Sequence, residues 1–313
     1  MIDDFLVKFR GPMEPLSCSE LPLGKDYLYQ VKWDGIRIIA ILDQGKLRLF
    51  NKHLRERSNQ YPELHDLPQR IDAQSAVLDG EIVVLRDGKP NFPDVMRRAN
   101  CIIGEQPGLM QIFYPIEYML FDLLYLNGQN LMNLPLSERQ IHLHNIAAKK
   151  DYLHLVENFS DGQVLFKAVR SMDMEGVVAK KNGSPYIQGK KHQSWFKIKS
   201  LRRQNCLLGG FTLRGKLVNS LLLGAYRDGA LFYIGKAANG LDASSLEVLS
   251  LQLPALEISE NPFVNISRKS PEMHFVKPEL GVEVEFLEWT DDLKLRTPVI
   301  KNFAIIGHET CVF

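Results

Sequence analysis

The chain of 313 residues is poor in cysteine: four are scattered at Cys18, Cys101, Cys206 and Cys311, with no Cys-x-x-Cys pair and no short spacing to histidine. That argues against a zinc site or a disulfide framework and suits a reducing cytosol. The eight histidines show no ligand spacing, and no Ser-His-Asp arrangement is suggested. No stretch approaches the ~18 apolar residues needed to span a membrane. The N-terminal MIDDFLVKFR carries two acids and lacks a secretory apolar run. Internal repeats and low-complexity tracts are missing as well. Net charge is only +1, so the molecule as a whole does not announce an acidic partner. The expectation is a soluble, cytoplasmic protein and a monomer.

What is present is uneven. From Lys180 to Lys216 there are ten Lys or Arg residues and no Asp or Glu, with aromatics interleaved. Such a segment is either a solvated basic surface or the footprint of a phosphate-rich ligand. The compensating acids lie elsewhere, for instance in ELGVEVEFLEWTDD over 279–292. With 45% hydrophobic residues the chain is long enough for two domains. Strand-like runs closed by Asp-Gly or Gly-Lys turns predict hairpins over 36–50 and 220–236 and a strand closed by a turn over 76–89. Ser137 and Gln140 are spaced as a capping box for a helix over 137–150, and helices are also expected over 161–172 and 242–253. Strands mixed with helices, without regular βαβ alternation, point to an α+β fold of mainly antiparallel sheets. After about residue 203 the texture shifts to short strands with one helix, as in a small oligonucleotide-binding-type (OB-fold) barrel, so the domains are expected at 1–203 and 204–313.

The chemistry starts at YLYQVKWDGIRIIA, residues 27–40, where a strand-like run is interrupted by Lys-Trp-Asp-Gly-Ile-Arg. If 28–33 is extended, Gln30 and Lys32 share one face, and Gly35 lets the backbone turn before the next strand. Arg37 then sits across the turn, and a lysine beside a permanent cation becomes a better nucleophile. A lone Lys-Asp-Gly is commonplace in hairpins. The full Lys-x-Asp-Gly-x-Arg string has a chance expectation well below about 0.01 in a chain of this size. Four later signals follow it in order. VLDGEIVVL puts Asp79 and Glu81 on one strand face, YMLFDLLYLNG holds Phe121-Asp122 in an apolar run, and MEGVVAKK offers Glu175 with Lys180 beyond. SWFKIKS then sets Lys197 and Lys199 two apart, where both can meet a phosphate. Singly, each is as well explained by a turn, a core residue or a charged edge strand.

As an ordered set, these motifs resemble the ATP-dependent DNA ligases of the covalent nucleotidyltransferase superfamily, above all the minimal bacterial end-joining type. The similarity runs over about residues 10–306 and includes GSPYIQGKKHQSWFKIKSLRRQ and VEVEFLEWTDDLKLRTPVIKNF. It implies that Lys32 attacks the α-phosphate of ATP to form a phosphoramide-linked AMP. Arg37 would hold the sugar or phosphate side, Glu81 the ribose or a divalent ion, and Glu175 the metal, Mg²⁺ or Mn²⁺. Phe121 would stack on adenine, and Lys197 and Lys199 would neutralise the α-phosphate. The AMP would then pass to a 5′-phosphate at a nick in double-stranded DNA, and the 3′-hydroxyl would displace it. The basic stretch 180–216 and the terminal barrel would clamp the duplex. A bacterial cytoplasm or nucleoid location, a role in DNA repair and a Ku-like or other repair partner follow from the same resemblance, as does a minimal two-domain form. An RNA ligase or a GTP-using capping enzyme shares the lysine motif and is the alternative, together with a ligase-like module impaired in self-adenylation.

The departures are specific. Gln30 stands where the family often has Glu, and its amide can still accept from the adenine amino group. Asn51-Lys52 replaces a common Ser-Arg, so Lys52 keeps the charge without the bidentate fork. In LRTPVIKNFAI, Arg296, Pro298 and Lys301 persist, but Asn302 and Ala304 replace the usual Gly and Arg of a motif that orients pyrophosphate. Self-adenylation is the step this departure touches. GFTLRGKL over 210–217 spells most of a phosphate-binding loop, but Leu217 replaces its Ser or Thr, and a hairpin turn is expected there.

Overall fold

The computed structural model describes residues 2–100, 107–147, 152–266, 272–290, 292–304 and 307–313; Cys101 and the end of the helix expected over 137–150 lie outside them. The chain divides between Ser200 and Leu201 into two units, three residues before the boundary expected from texture. Each unit has its own core.

The first unit is built on two sheets. One runs Lys46–Asn51, Ile36–Asp43, Ser75–Arg86, Ile116–Leu126, Gln129–Asn130, with Lys89–Pro90 added to Ser75–Arg86 and Leu153–Leu155 joining Ile116–Leu126 in parallel. The other runs Glu14–Ser17, Lys191–Lys199, Gly176–Lys181, Tyr27–Val31, with its first pair parallel and the rest antiparallel. Ile36–Asp43 is apolar at every position from Ile38 to Leu42 because both its faces are covered. Ile38, Ala40 and Leu42 pack with Leu78 and Leu120, while Ile39 and Ile41 pack with Met13, Tyr186 and Trp195. Truncating fully buried Leu78 to Ala would cost ~2–5 kcal/mol.

The local chemistry explains the turns. Gln44 and Gly45, at φ 46° and 79°, join Ile36–Asp43 to Lys46–Asn51, and a mirror-image turn needs positive φ at both positions. Asp161 caps the helix Gly162–Ser171 by accepting from the backbone amides of Gln163 and Val164. The capping box expected at Ser137 and Gln140 does not form. The helix Leu136–Ile146 starts one residue earlier, behind Pro135, which has no side-chain acceptor to offer. Gln140 is therefore free for other work.

In the second unit the strands are longer than expected. Arg202–Arg214 extends over 13 residues because it serves two sets of partners. Its first half pairs with Gly281–Phe286, and its second half with Leu217–Arg227 and Met273–Val276. The register shifts between Leu208 and Gly210, where a Cβ on Gly209 would lie 2.3 Å from the Phe263 ring. A bridge between Asn239 and Val299 connects the end of Ala230–Ala237 to Val299–Ala304 and curls the sheet toward a barrel. One helix, Ala243–Gln252, is capped by Asp242. Gly215-Lys216 forms the hairpin turn between Arg202–Arg214 and Leu217–Arg227, as expected for the loop decoy.

Candidate active site

The four-stranded sheet sets out its side chains in rows. Val178 pairs with both Gln30 and Lys197, Lys180 pairs with Trp195, and Gly176 pairs with Lys199 while its carbonyl accepts from the Lys32 amide at 2.9 Å. Residues two apart share a face, so one register brings Gln30, Lys32, Lys180, Trp195, Lys197 and Lys199 to the same side. Opposite them, Arg37, Glu81 and Phe121 come from the other sheet. Gln30, Lys32, Arg37, Lys52, Glu81, Phe121, Lys180, Trp195 and Lys197 line one cavity of about 210 Å³.

Gly35 makes the close approach of the two sheets possible. A Cβ there would lie 2.2 Å from the Ile82 carbonyl oxygen and 2.9 Å from Glu81 Cγ. Gly176, at φ 152°, is equally constrained: a Cβ would lie 2.1 Å from the Ile198 carbonyl oxygen. These two glycines set Lys32 and Glu175 face to face.

Lys32 Nζ donates to Glu175 Oε2 at 2.5 Å, and Lys199 Nζ lies 3.9 Å from Glu175 Oε1. Arg37 is not the open cation across the turn that the sequence suggested. Its guanidinium grips Asp79 at 2.5 and 2.6 Å, and the Tyr186 hydroxyl also donates to Asp79 at 2.6 Å. Burial opposes the arginine's charge, but the Asp79 carboxylate outweighs it and strengthens its hold on the proton. Fully buried Asp79 is thus a holder of Arg37 rather than a cavity acid. Glu81 forms no ion pair among the described residues. Burial pushes its carboxyl up to about 7, with Arg37 and Lys32 pulling against that rise.

The amines on the floor are strained electrostatically. Burial lowers Lys197, and the neighbouring Lys32 and Lys199 add to the effect. Lys180 is pushed down to about 7 by burial. Its Nζ has no hydrogen-bond partner and sits 4.2 Å from the ring centroids of both Phe121 and Trp195. Arg37 also lies over Phe121, at 4.4 Å. Gln30 is 2% exposed and donates from Nε2 to Asn158 Oδ1 at 2.7 Å. Arg296 belongs to the second unit, where it donates to Glu288 at 2.7 Å.

The basic stretch does not act as one surface. Lys180 is buried and Lys197 half-buried, whereas Lys181, Lys190, Lys191, Arg214 and Lys216 are exposed. Arg203 is tied to Glu283 and Glu285 at 3.3 and 3.2 Å. The sequence argument placed Lys180 only beyond Glu175 and did not single out Trp195. Their meeting depends on cross-strand register, which one sequence does not display.

A lysine amine against a carboxylate, in a cleft between two mainly antiparallel sheets and followed by a small barrel, defines a nucleotidyltransferase with an OB-like C-terminal domain. Family models agree: an ATP-dependent DNA ligase domain matches residues 18–199, and an ATP-dependent DNA ligase C-terminal region matches 214–304. The chain is 32% identical over 280 residues to the multifunctional non-homologous end joining DNA repair protein LigD of Mycobacterium tuberculosis, covering 87% of this chain and 35% of that protein. It thus spans about a third of the length of that relative. The SPbeta prophage-derived DNA ligase-like protein LigB of Bacillus subtilis is 30% identical over 206 residues, 65% of this chain and 72% of the relative. The crystal structure of the ligase domain from M. tuberculosis LigD superposes with a TM-score of 0.53 at 29% identity, covering 96% of this chain and 98% of that one. A mycobacterial DNA ligase D complexed with ATP and MES gives a TM-score of 0.54 at 30% identity, again over 96% and 98%. The chain belongs to the ATP-dependent DNA ligase family. No described helix is long and apolar enough to cross a membrane.

Proposed function

We propose that the chain seals nicks in duplex DNA through a lysyl-AMP formed on Lys32, in the service of end-joining repair. The observation that carries this is the convergence of Lys32, Arg37, Glu81, Phe121 and Lys197 on one cavity, with Glu175 hydrogen-bonded to the Lys32 amine. Lys32 Nζ attacks the α-phosphate of ATP, the bond to the β-phosphate breaks, and pyrophosphate leaves. Glu175 Oε2, at 2.5 Å, is the acceptor within reach of the departing ammonium proton. Lys197 meets the charge that builds on the α-phosphate, and Lys199 supports it from the same strand face. An oxygen of the 5′-phosphate at the nick then takes the AMP and releases Lys32, after which the 3′-hydroxyl closes the strand and expels AMP.

Arg37, fixed by Asp79, offers its remaining donors to the ribose or phosphate. Phe121 supplies the ring for the base, Gln30 its polar edge, and Lys52 a further positive charge at the rim. A divalent ion fits the donor set: Glu81 is a buried carboxyl with no ion pair among the described residues, and Glu175 lies across from it. Two hard carboxylates complemented by phosphate oxygens are what Mg²⁺ or Mn²⁺ takes, and the ion would neutralise phosphate charge. Exposed Lys181, Lys190 and Lys191 are available for the duplex backbone, and an end-binding protein would recruit the enzyme to breaks.

The test is incubation with α-labelled ATP and a divalent ion, followed by a nicked duplex. Label on Lys32 and a sealed strand are expected; a chain that takes no label, or one labelled elsewhere, overturns the proposal. Sealing of pre-adenylated nicks without labelling from ATP would instead support a ligase-like module impaired in self-adenylation.

A further inference from the structure

From Gln30 at the cavity a chain of three side-chain amides runs through exposed Asn158 to buried Gln140, and the ligation chemistry does not itself require it. Gln30 Nε2 donates to Asn158 Oδ1 at 2.7 Å, Asn158 Nδ2 donates to Gln140 Oε1 at 2.6 Å, and Gln140 Nε2 donates to the Phe121 carbonyl oxygen at 3.3 Å. An amide can present either end to a neighbour, so its direction is fixed only by the network around it. Here the far end is a backbone carbonyl, which can only accept. Gln140 must therefore turn its nitrogen to Phe121, from where it also reaches Asn158 Oδ1 at 3.4 Å, and its oxygen to Asn158 Nδ2. Asn158 must then turn its oxygen to Gln30, and Gln30, which lines the cavity, keeps its oxygen outside this network.

Each member is held by its backbone. Asn158 precedes Phe159, which bridges Tyr29 through two backbone hydrogen bonds of 2.9 Å, and the Val156 amide donates to the Leu120 carbonyl at 2.8 Å. Gln140 follows Arg139, whose buried guanidinium is bidentate with Asp122 at 2.8 Å. Resting on the nucleotide-transfer function proposed above, we infer that Asn158 and Gln140 are positioning residues for base selection. They lock the Gln30 amide as an acceptor, so that the site takes a purine with an amino donor at position 6 and rejects one with a 6-oxo group. A glutamine in this place has no such preference of its own, since it could flip and donate.

Label transfer to Lys32 from ATP, GTP and purine riboside triphosphate measures this directly. On the wild-type chain, removing the 6-amino group should cost about tenfold, one hydrogen bond's worth, and GTP should cost more because oxygen faces oxygen. Asn158→Leu should lower the ATP-over-GTP ratio by at least about tenfold, and Gln140→Leu should do so less steeply, while a merely structural loss would slow all three nucleotides alike. In the Asn158→Leu background, Gln30→Glu should restore the ratio, because a carboxylate accepts in either orientation. Wild-type label from ATP with GTP used equally well overturns the inference alone, without any variant having to fold. So does an unchanged ratio in Asn158→Leu. A wild-type chain that takes label from no nucleotide overturns the proposed function, and the inference with it.

Discussion

The two sheets that bound the cavity treat charge differently. In the larger sheet, charges are matched inside the protein: Arg37 with Asp79, and Arg139 with Asp122, both acids fully buried. Glu81 is the exception. In the four-stranded sheet the amines are left short of partners. Lys180 Nζ has none, Lys197 forms no ion pair among the described residues, and Lys199 touches Glu175 only at 3.9 Å. A buried pair that is fully hydrogen-bonded holds geometry, whereas an unmatched charge costs stability and persists where a ligand will answer it. Matched charges here position the site, and unmatched ones belong to the substrate. Each variant below can break or sharpen that division.

The largest effect belongs to Lys32. Lys32→Ala removes the amine that Glu175 faces, and AMP attachment should fall by at least about four orders of magnitude, since no other group supplies the nucleophile. Label at the wild-type rate in that variant would end the assignment. Asp122→Ala tests the matched class. It leaves Arg139 buried without its carboxylate, and the urea midpoint should drop by the equivalent of about 3–5 kcal/mol. A loss of activity with stability unchanged would move Asp122 to the functional side. Lys197→Glu tests the unmatched class. Single-turnover transfer should slow by about 10²–10³-fold with little change in unfolding, as expected for a charge that acts on the transition state.

Much of this site is legible in the sequence, and the reason is local. Lys32, Glu81, Lys197 and Lys199 each sit in a short string whose alternation already suggests which side chains share a face, and Glu175 stands just before such a string. What escapes is whatever depends on register between distant strands. Lys180 enters the cavity because it pairs with Trp195, fifteen positions on, and one sequence does not reveal that pairing. Gln140 shows the opposite failure. Its spacing from Ser137 suggested a helix cap, but Pro135 starts the helix and leaves Gln140 to the amide chain behind Gln30. In the second unit, long Arg202–Arg214 reads as short strands because Gly209-Gly210 interrupts its apolar run, although the backbone continues through a bulge there.

Lys180 gives the smallest and most discriminating test. Its amine is pushed down to about 7 in the folded protein from an ordinary value of 10.5. Between those two pH values the unfolded chain holds the extra proton, so this group makes stability rise with pH across that window. Below pH 7 both states carry the charge, and the cost of burying it is felt in full. The Phe121 and Trp195 rings, each 4.2 Å away, return ~2 kcal/mol of that cost as cation–π attraction. Lys180→Met should therefore stabilise the protein by about 1–2 kcal/mol at pH 6, with the gain fading as pH approaches 10. Urea midpoints at the two pH values measure it. If the unmatched amine serves a ligand, the same variant should raise the KM for ATP by about tenfold while it gains stability, since one charged contact is lost. A variant that is more stable with an unchanged KM would show that an amine left unpaired in this sheet is not thereby reserved for substrate.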